Sequence, residues 1–452
     1  MDKPAPLARI LGLGFGLAMV FGGTVGVGIL RLPGTLAATL GDSRVILVFW
    51  IVGGIYTLLG AVSVAELAAM LPRAGGFYVY ARRAFGSGAG FVVGWSDWIN
   101  EVAALAYGSI TAMTFLAALW PAAASCARTG AVLIVAAFAA LHWVGLRLGS
   151  SLTRLISLSI GLMMLILVVA CFFVPPAAHT SAPLPLSAAA LPLLSMGTLA
   201  ALVSAMRNVL LTYDGWYSPI YLAEENTHPG RTLPRALIGG TLVLIVLYVS
   251  VNAALLRVLP LSALASSDLP AATAARMVFP HGGGELVTLI SLLTVLSLVN
   301  ATLLITPRVL LAIGRDGLFT RKAAAVSASG TPRLALAVSS AAAIALILSG
   351  TFEQIIALAT VLFLLNYISA YAALFVLRRR EPGLPRPYRA FGFPFTTAIV
   401  LVGSVLALIA AAVEDPRSAL AAGLLLAACA PIYVGIARRR RRVAASAAAE
   451  LP

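Results

Sequence analysis

Long apolar stretches dominate the chain and alternate with short segments rich in proline, glycine and charged residues. A helix needs about 20 largely apolar residues to cross the hydrocarbon core of a membrane. The pattern therefore predicts an all-α membrane protein with twelve membrane-spanning helices and no room between them for a soluble domain. The predicted spans cover residues 10–38, 45–70, 89–119, 131–145, 152–174, 197–222, 235–257, 285–313, 334–349, 354–377, 395–413 and 419–437.

The composition supports this interpretation and excludes other classes of protein. Hydrophobic residues make up 61% of the 452 residues and charged residues only 10%, whereas soluble domains carry about 25% charged residues. A soluble enzyme, a disordered adaptor and a secreted disulfide scaffold are therefore excluded. The cysteines at 126, 171 and 429 are scattered, without a CxxC pair or a histidine cluster. We expect no disulfide framework, no metal site and no cofactor.

The net charge of +15 reports on orientation and not on nucleic acid binding. Lysine and arginine collect in the cytoplasmic loops of membrane proteins. If both termini are cytoplasmic, the lysines and arginines fall on the cytoplasmic side except for Arg31, Arg44, Arg128, Arg207, Arg257, Arg276 and Arg417. We therefore expect a multi-pass protein of the bacterial inner (plasma) membrane, with both termini inside. Its basic tail, residues 438–452, acts as a topology determinant and can contact anionic lipid headgroups.

The first span contains four glycines within seven residues, at 22, 23, 26 and 28. Each glycine costs a helix about 1 kcal/mol relative to alanine. Irregular backbone at mid-membrane depth survives only where it is buried or lines a polar cavity. Two interpretations stay open at this point: close helix packing across Gly22 and Gly26, or an unwound segment.

The sixth span carries a second interruption, because Asp214, Gly215 and Pro219 follow a long apolar run. Interrupted spans in the first and sixth positions indicate two five-helix halves related by inverted topology. We expect the first half in residues 1–174, the second in 197–377, and two further helices in 395–437. Broken helices offer free N–H groups to an anion and free carbonyls to a cation. Such a site suits a zwitterion and favours a carrier over a channel.

Ordered motifs along nearly the whole chain resemble those of one transporter superfamily. They are Gly22 to Leu30; Glu66-Leu67-Ala68, Pro72, Gly75-Gly76, Tyr78 and Tyr80; Phe85-Gly86, Gly90-Phe91 and Gly94-Trp95; Tyr213-Asp214-Gly215-Trp216, Glu224-Glu225, Pro229, Arg231 and Leu233-Pro234; Asn300, Pro307-Arg308 and Arg315-Asp316-Gly317; and Arg386-Pro387-Tyr388-Arg389. In this order they are similar to the amino acid–polyamine–organocation superfamily, and within it to the L-type amino acid transporter branch and its bacterial relatives.

The resemblance implies alternating access, with an amino acid as substrate. No obligate protein partner is predicted, because no cysteine is plainly placed for an extracellular disulfide to one. The resemblance places the substrate-binding residues at the two interruptions and on the eighth span: Gly23, Thr24, Gly26, Val27, Gly28, Leu211, Thr212, Tyr213, Asp214 and Asn300. The first five would hold the carboxylate and the next four the amine. Polyamines or other small organic amines are the alternative substrates.

Three positions depart from the pattern of this superfamily. Val27 stands where many relatives carry serine, and Leu211 stands where an aromatic gate is common. Many members have a lysine in the fifth span, but ungapped spacing from Gly145 puts Ile160 there, near Ser157 and Ser159. Because the only lysines are at 3 and 322, lysine-based coupling is excluded. We expect exchange or proton-coupled uptake without sodium.

Charged residues inside spans are costly and usually functional. Asp97 and Glu101 share one face of the third helix because they are four residues apart, and Arg207 precedes the sixth-span interruption. Either Glu101 pairs with Arg207, or Asp97 and Glu101 form a proton site in which one carboxyl holds a proton. Asp97 can instead pair with a loop arginine, Arg82 or Arg83. For residues 66, 224 and 225, all glutamates near cytoplasmic ends, we expect salt bridges.

Other classes of function are less well supported by the sequence. No span carries a nucleophile elbow, a metalloprotease motif or a catalytic aspartate pair, so an intramembrane enzyme is disfavoured. A channel needs a pore lined by charges or carbonyls, and the sequence does not test for one. A channel and a transporter-like sensor therefore stay open beside the carrier.

Overall fold

The computed structural model describes residues 7–176, 196–350 and 352–449, and in these residues the chain is almost entirely helical. The helices are α1 Leu13–Thr24, α2 Gly28–Leu40, α3 Ser43–Met70, α4 Phe77–Phe85, α5 Ser87–Leu119, α6 Ala127–Val144, α7 Leu146–Phe173, α8 Met196–Thr212, α9 Pro229–Val258, α10 Leu261–Ala265, α11 Pro270–Val278, α12 Gly283–Arg315, α13 Arg333–Ser349, α14 Phe352–Arg380, α15 Phe395–Glu414 and α16 Pro416–Ala449. Short 3-10 segments cover Pro121–Cys126, Ser218–Glu225 and Arg321–Ala324.

The predicted class, an all-α protein with many membrane spans, is confirmed. Within the described ranges, nine helices are long and apolar enough to cross a membrane. The pair α1 and α2, bent by 44°, makes a tenth span, and two shorter apolar helices cover Ala201–Thr212 and Arg333–Ser349. The exact number of twelve and the inverted relation of the two halves stay predictions.

Helices α6 and α7 extend further than the predicted fourth and fifth spans. Only Gly145 separates them, so the predicted loop shrinks to one residue. The orientation count places Arg147 and Arg154 on the cytoplasmic side, between the predicted fourth and fifth spans or at the start of the fifth. Both arginines in fact lie on exposed faces of α7, where long side chains can reach the headgroup region.

Helix α16 runs through the arginine run to Ala449, so the predicted basic tail continues a helix as far as it is described. Residues 450–452 lie outside the described residues, as do residues 1–6 of the predicted first half. The location of the tail in the cytoplasm stays a prediction.

The core of the bundle brings the first span into contact with elements far away in sequence. Helix α1 packs on α9, α7 and α12, while α3 packs mainly on α9, and α5 packs mainly on α12. Helix α15 lies at the periphery against α14 and α3. Its outward face is strongly apolar and exposed, as expected for contact with lipid. That face carries Ile399, Val402, Leu406, Ile409 and Val413.

The carboxylate of Glu66 in α3 is fully buried at one end of the bundle. It accepts a hydrogen bond from Arg378 Nε at 2.9 Å and one from the N–H of Ala390 at 2.7 Å. The Nε atom of Arg386 lies 3.2 Å from the same carboxylate. This network ties α3 to α14 and to the loop that follows α14.

Two more ion pairs close the same end of the bundle. Arg308 of α12 and Glu225 form a bidentate pair, with N–O distances of 3.0 and 3.1 Å, and their side chains are 3% and 0% exposed. Arg315 donates to Glu224 at 2.7 Å, and Glu224 also accepts from the N–H of Ala74. The prediction that Glu66, Glu224 and Glu225 form salt bridges is confirmed.

Removal of one partner of the buried Glu225–Arg308 pair is expected to destabilise the protein strongly. Glu225→Gln leaves a buried guanidinium without a counterion, which costs about 3–5 kcal/mol. The double variant Glu225→Gln/Arg308→Met is expected to recover part of this loss, because no charge then stays buried. The measurement is thermal unfolding in detergent.

The matched control for this prediction is Glu381→Gln. It breaks the ion pair between Glu381 and Arg83. The Glu381 side chain is 27% exposed and that of Arg83 is 50% exposed, so the expected loss of stability is about 0–1 kcal/mol. Equal losses in Glu225→Gln and Glu381→Gln would contradict the assignment of Glu225–Arg308 as a buried pair.

Candidate functional site

The first span is unwound between α1 and α2, at Val25, Gly26 and Val27. The N–H of Val25 still bonds to the carbonyl of Phe21 at 2.8 Å. Among the backbone hydrogen bonds of the described chain, none is donated by the N–H groups of Gly26, Val27 or Gly28. The break therefore presents three consecutive N–H groups at mid-span, at the N-terminus of α2.

Both interpretations of the glycine cluster hold, each at a different glycine. A methyl group on Gly22 would lie 2.6 Å from Ser297 Oγ and 2.7 Å from Ser157 Oγ, so Gly22 allows close packing on α12 and α7. A methyl group on Gly26 would meet only the Thr24 carbonyl oxygen, at 3.9 Å. Gly26 therefore belongs to the unwound segment, with open space beside it.

The sixth span is broken after α8 and continues as the 3-10 segment Ser218–Glu225. Gly215 adopts a φ of +100° in the connecting turn, a conformation that favours glycine. The hydroxyl of Ser218 donates to the Gly215 carbonyl at 2.6 Å. The predicted interruption of the sixth span is therefore confirmed, and a hydroxyl from the following segment satisfies one of its freed carbonyls.

The two breaks touch each other through their glycines. A methyl group on Gly215 would lie 2.1 Å from the carbonyl oxygen of Gly23, and one on Gly23 would lie 2.4 Å from Ser218 Oγ. A methyl group on Gly28 would lie 3.0 Å from Thr212 Oγ1. No side chain larger than hydrogen fits at the closest crossing, so the glycines set the distance between the two backbones.

Tyr248 of α9 connects the two breaks. Its hydroxyl lies 3.1 Å from the carbonyl oxygen of Thr24 and 3.2 Å from that of Thr212, and its side chain is fully buried. A phenol has one proton, so it donates to one of these two carbonyls at a time. The last carbonyls of α1 and α8 thus share one hydroxyl group as their hydrogen-bond donor.

Asp214 lies at the second break and is half-buried. Its Oδ1 accepts a hydrogen bond from the hydroxyl of Tyr367 in α14, at 2.5 Å. The neighbouring Tyr213 turns into the core, where its hydroxyl donates to the Trp50 carbonyl at 3.1 Å. The two adjacent side chains thus point to different surroundings: the Asp214 carboxylate stays at the break, and the Tyr213 ring packs against α3.

Leu211 lies on the wall of a groove between α3, α8, α14 and α15. The groove is lined by apolar and aromatic side chains, among them Trp216 and Tyr371. Leu211 is 36% exposed. Position 211 therefore places an aliphatic side chain on this wall of the groove.

The hydrogen bonds that Asn300 donates from its side chain go to α7. Its Nδ2 donates to Thr153 Oγ1 at 2.8 Å and to the Gly149 carbonyl at 3.4 Å, and the residue is fully buried. On α7, Ser157 faces the first span, since its hydroxyl donates to the Ala18 carbonyl at 2.9 Å. The expectation that position 160 takes the place of the lysine stays a prediction, and α7 contains no lysine.

The predicted pair of Glu101 and Arg207 is wrong. Arg207 Nη2 donates to Oε1 of Glu414 at 3.1 Å, and Glu414 ends α15. Sequence spacing gave the depth of Arg207 along its span but not the neighbouring helix it faces. Glu101 lies instead within electrostatic reach of Asp97 and Asp214.

The alternative pairing of Asp97 with a loop arginine is also wrong. Arg82 lies 3.0 Å from Asp316, and Arg83 lies 2.9 Å from Glu381. Both arginines sit on the short helix α4, which places their side chains near the loops after α12 and α14. Asp97 is buried deeper in the bundle and contacts other groups, described below.

Sequence reasoning missed Tyr248, Tyr367 and Ser218, although each contacts one of the breaks. Tyr248 is a tyrosine within an otherwise apolar stretch of α9, and Tyr367 follows Asn366 in the middle of α14. Isolated hydroxyl groups at mid-membrane depth are a signal, because freed backbone carbonyls there need partners. That signal does not say which carbonyl each hydroxyl meets.

Two discontinuous spans that touch at mid-depth define a membrane protein of the kind found among secondary transporters. The family described as "Amino acid permease" matches residues 16–436 of this chain. The protein belongs to this family. It is therefore a multi-span membrane transporter and not an enzyme, and the resemblance found in its motifs is confirmed.

Individual relatives agree with this membership. The chain is 28% identical over 444 residues to the serine/threonine exchanger SteT of Bacillus subtilis, which covers 96% of this chain and 98% of the relative. It is 26% identical over 418 residues to the branched-chain amino acid permease BcaP of Bacillus subtilis, an alignment that covers 88% of this chain and 86% of the relative. It is 25% identical over 426 residues to b(0,+)-type amino acid transporter 1 of Mus musculus, an alignment that covers 92% of this chain and 85% of the relative.

Addition of one methyl group at the crossing of the two breaks is expected to abolish the native packing. Gly215→Ala places a methyl group on the Gly23 carbonyl and forces a non-glycine residue to a φ of +100°. We expect loss of monodisperse protein in detergent size-exclusion chromatography. Gly383→Ala is the matched control, since a methyl group on Gly383 meets nothing within 4 Å. A stable, monodisperse Gly215→Ala protein would contradict the crossing described here.

Proposed function

We propose that this protein carries amino acids across the bacterial plasma membrane by alternating access, without sodium and without an obligate protein partner. Both termini are assigned to the cytoplasm. The observation that carries the proposal is the meeting of the two breaks, which brings unpaired N–H groups and helix-end carbonyls to one place at mid-span.

The two breaks offer opposite partners for the two charges of an amino acid. The substrate carboxylate binds the N–H groups of Gly26, Val27 and Gly28, at the positive end of the α2 dipole. Gly23 and Thr24 complete this side from the end of α1. Val27 contributes its backbone only, because it has no hydroxyl group.

The substrate amine binds on the other side, at the carbonyl end of α8. Leu211, Thr212 and Tyr213 contribute backbone carbonyls, and Asp214 adds a carboxylate beside them. Asn300 does not touch either break directly. It supports the site from α12 by fixing α7 behind the first span.

The ion pairs at the end of the bundle near Glu66 and Glu224 form the closed cytoplasmic side in this arrangement. Arg82 and Arg315 also line a cavity of about 340 Å³ beside that closure. Alternating access requires these pairs to separate when the site opens to the cytoplasm. The segments at this end are rich in arginine, which supports the assignment of this end to the cytoplasm.

Small neutral amino acids are the first substrates to test, because one relative that aligns over 98% of its own length is a serine/threonine exchanger. Polyamines are not favoured, since the matching family is that of amino acid permeases and a polyamine has no carboxylate for the N–H groups of the first break.

The decisive experiment is trans-stimulation in proteoliposomes. Purified protein is reconstituted, and uptake of labelled L-serine is compared with and without unlabelled amino acid inside, over a panel of amino acids. A carrier exchanges faster when substrate is present on the opposite side. We expect clear trans-stimulation by at least one amino acid. Equal rates in loaded and empty vesicles, with uptake that does not saturate, would favour a channel and reject the proposal.

Sodium independence is tested in the same vesicles. Replacement of sodium by choline at fixed pH is expected to leave the initial rate unchanged, because the proposed site uses backbone groups of the protein and no bound cation. Empty liposomes give the background. Uptake that collapses in choline would reject this part of the proposal.

The role of Asp214 is tested by Asp214→Asn, which keeps a hydrogen-bond acceptor and removes the charge. If the carboxylate attracts the substrate amine, its loss weakens apparent affinity about tenfold for a loss of 1.4 kcal/mol, with normal expression. The comparison is Asp214→Ala. Unchanged affinity in Asp214→Asn, together with loss of folded protein in Asp214→Ala, would show that the residue only supports the break.

A further inference from the structure

Asp97 of α5 lies in a buried polar cluster beneath the second break. Its Oδ1 accepts hydrogen bonds from the Tyr221 hydroxyl at 2.8 Å and from Asn366 Nδ2 at 3.1 Å. Its Oδ2 is buried and has no hydrogen-bond partner in the described part of the chain, and the same holds for Oδ1 of Asn366. A buried carboxylate oxygen without a donor is costly, so this pair of atoms calls for an explanation.

Glu101 links Asp97 to a third carboxylate, that of Asp214. Glu101, one helical turn further along α5, is within electrostatic reach of both Asp97 and Asp214, and Tyr217 is its hydrogen-bonding neighbour. Every donor seen on these three carboxylates is neutral: a tyrosine hydroxyl, an amide or a backbone group. Among the described residues, no lysine, arginine or histidine contacts them.

Among the described side chains, the cations on the helices packed against α5 are engaged elsewhere or exposed. Arg308 pairs with Glu225, Arg315 with Glu224, Arg82 with Asp316, Arg83 with Glu381 and Arg378 with Glu66, Arg380 donates to the Ala84 carbonyl, Arg333 lies over Trp143, and Arg128, Arg379, Arg417 and Arg438 are exposed. The other titratable groups described on these helices are Tyr78, Tyr80, Tyr367, Tyr371, Tyr433, His142, Cys429 and the exposed Glu285. Three neighbouring carboxylates in a membrane interior without a cation cannot all stay ionised. The cluster must therefore bind positive charge.

The geometry distinguishes a proton from a substrate amine. Asp97 is 1% exposed, so an ammonium group cannot reach Oδ2, whereas Asp214 is half-buried beside the break where the substrate binds. A proton on Oδ2 of Asp97 turns this oxygen into a donor, and the unpartnered Oδ1 of Asn366 becomes its acceptor while Nδ2 of Asn366 keeps its hydrogen bond to Asp97 Oδ1, as in a carboxyl–amide pair. Both unpartnered atoms are then accounted for.

We propose that Asp97, with Glu101 beside it, binds the proton that this carrier moves together with its substrate, which rests on the function proposed above. The proton comes from water on the outer side and forms an O–H bond at Asp97. That bond breaks when the proton leaves to cytoplasmic water, and no electrons are exchanged. Glu101 and Tyr217 connect Asp97 to Asp214, so the proton site and the substrate site share one polar network.

The same residues give a physical basis for coupling. Asp97 joins α5 to the inner half of the sixth span through Tyr221 and to α14 through Asn366. A hydrogen bond to an ionised carboxylate is about twice as strong as one between neutral groups. Protonation therefore loosens the hold of α5 on the segment Ser218–Glu225, and deprotonation restores it.

The test uses full-length protein in proteoliposomes that contain the pH dye pyranine, with L-serine as the first probe. In the wild type, L-serine is expected to carry protons inward, and a gradient of one pH unit is expected to support accumulation of up to about tenfold. Asp97→Asn is expected to keep substrate exchange and to lose proton influx. Glu101→Gln is expected to reduce proton influx, and Glu381→Gln, whose carboxylate lies outside the cluster, is expected to behave as wild type.

The outcomes separate this proposal from the proposed function. Exchange without proton influx in the wild type would overturn the proton site and leave the carrier intact. Charge-carrying uptake of L-arginine without any proton influx would show that a cationic substrate neutralises the carboxylates. No exchange for any amino acid would overturn both. If Asp97→Asn does not survive purification, the wild type and Glu101→Gln decide, and unchanged proton influx in Glu101→Gln would contradict the cluster.

Discussion

The structure depends on one constraint: backbone groups released from a helix at mid-membrane depth must find partners other than water. Both breaks meet this constraint together. The Tyr248 hydroxyl donates to one of the last carbonyls of α1 and α8 at a time, and the Ser218 hydroxyl donates to the carbonyl of Gly215. Within the described residues, the N–H groups of Gly26, Val27 and Gly28 donate no backbone hydrogen bond, and these are the groups proposed to bind a ligand. The function follows from which backbone groups are satisfied and which are not.

The charges of the bundle divide into two sets with different surroundings. At the end near Glu66, carboxylates are matched by arginines, and the pair Glu225–Arg308 is buried and bidentate. Around Asp97, the hydrogen-bond donors that the described residues supply are hydroxyls and an amide. A matched pair stabilises one closed arrangement, whereas an unmatched carboxylate changes its charge with its surroundings. This contrast separates the residues that hold the bundle shut from those suited to respond to a ligand.

The sequence predicted the elements well but not the contacts between them. Four glycines in the first span, and the combination of Asp214, Gly215 and Pro219 in the sixth, located both breaks, because few residue types tolerate such backbone. The pairing of Glu101 with Arg207 failed because depth along a helix is periodic and predictable, whereas the facing neighbour depends on how distant helices pack. Tyr248 was missed for the same reason, since its partners lie 224 and 36 residues away.

The central claim is that substrate binds at the unwound backbone of the first span. Val27→Cys places a thiol at this half-buried position, in a protein whose exposed Cys126 is replaced by serine. The measurement is the rate of maleimide labelling in proteoliposomes, with and without an amino acid that the protein exchanges. The account predicts that the substrate slows labelling at position 27 and leaves labelling of Trp120→Cys, at the exposed end of α5, unchanged. Equal labelling rates at position 27 in an active transporter, with and without saturating substrate, would contradict it.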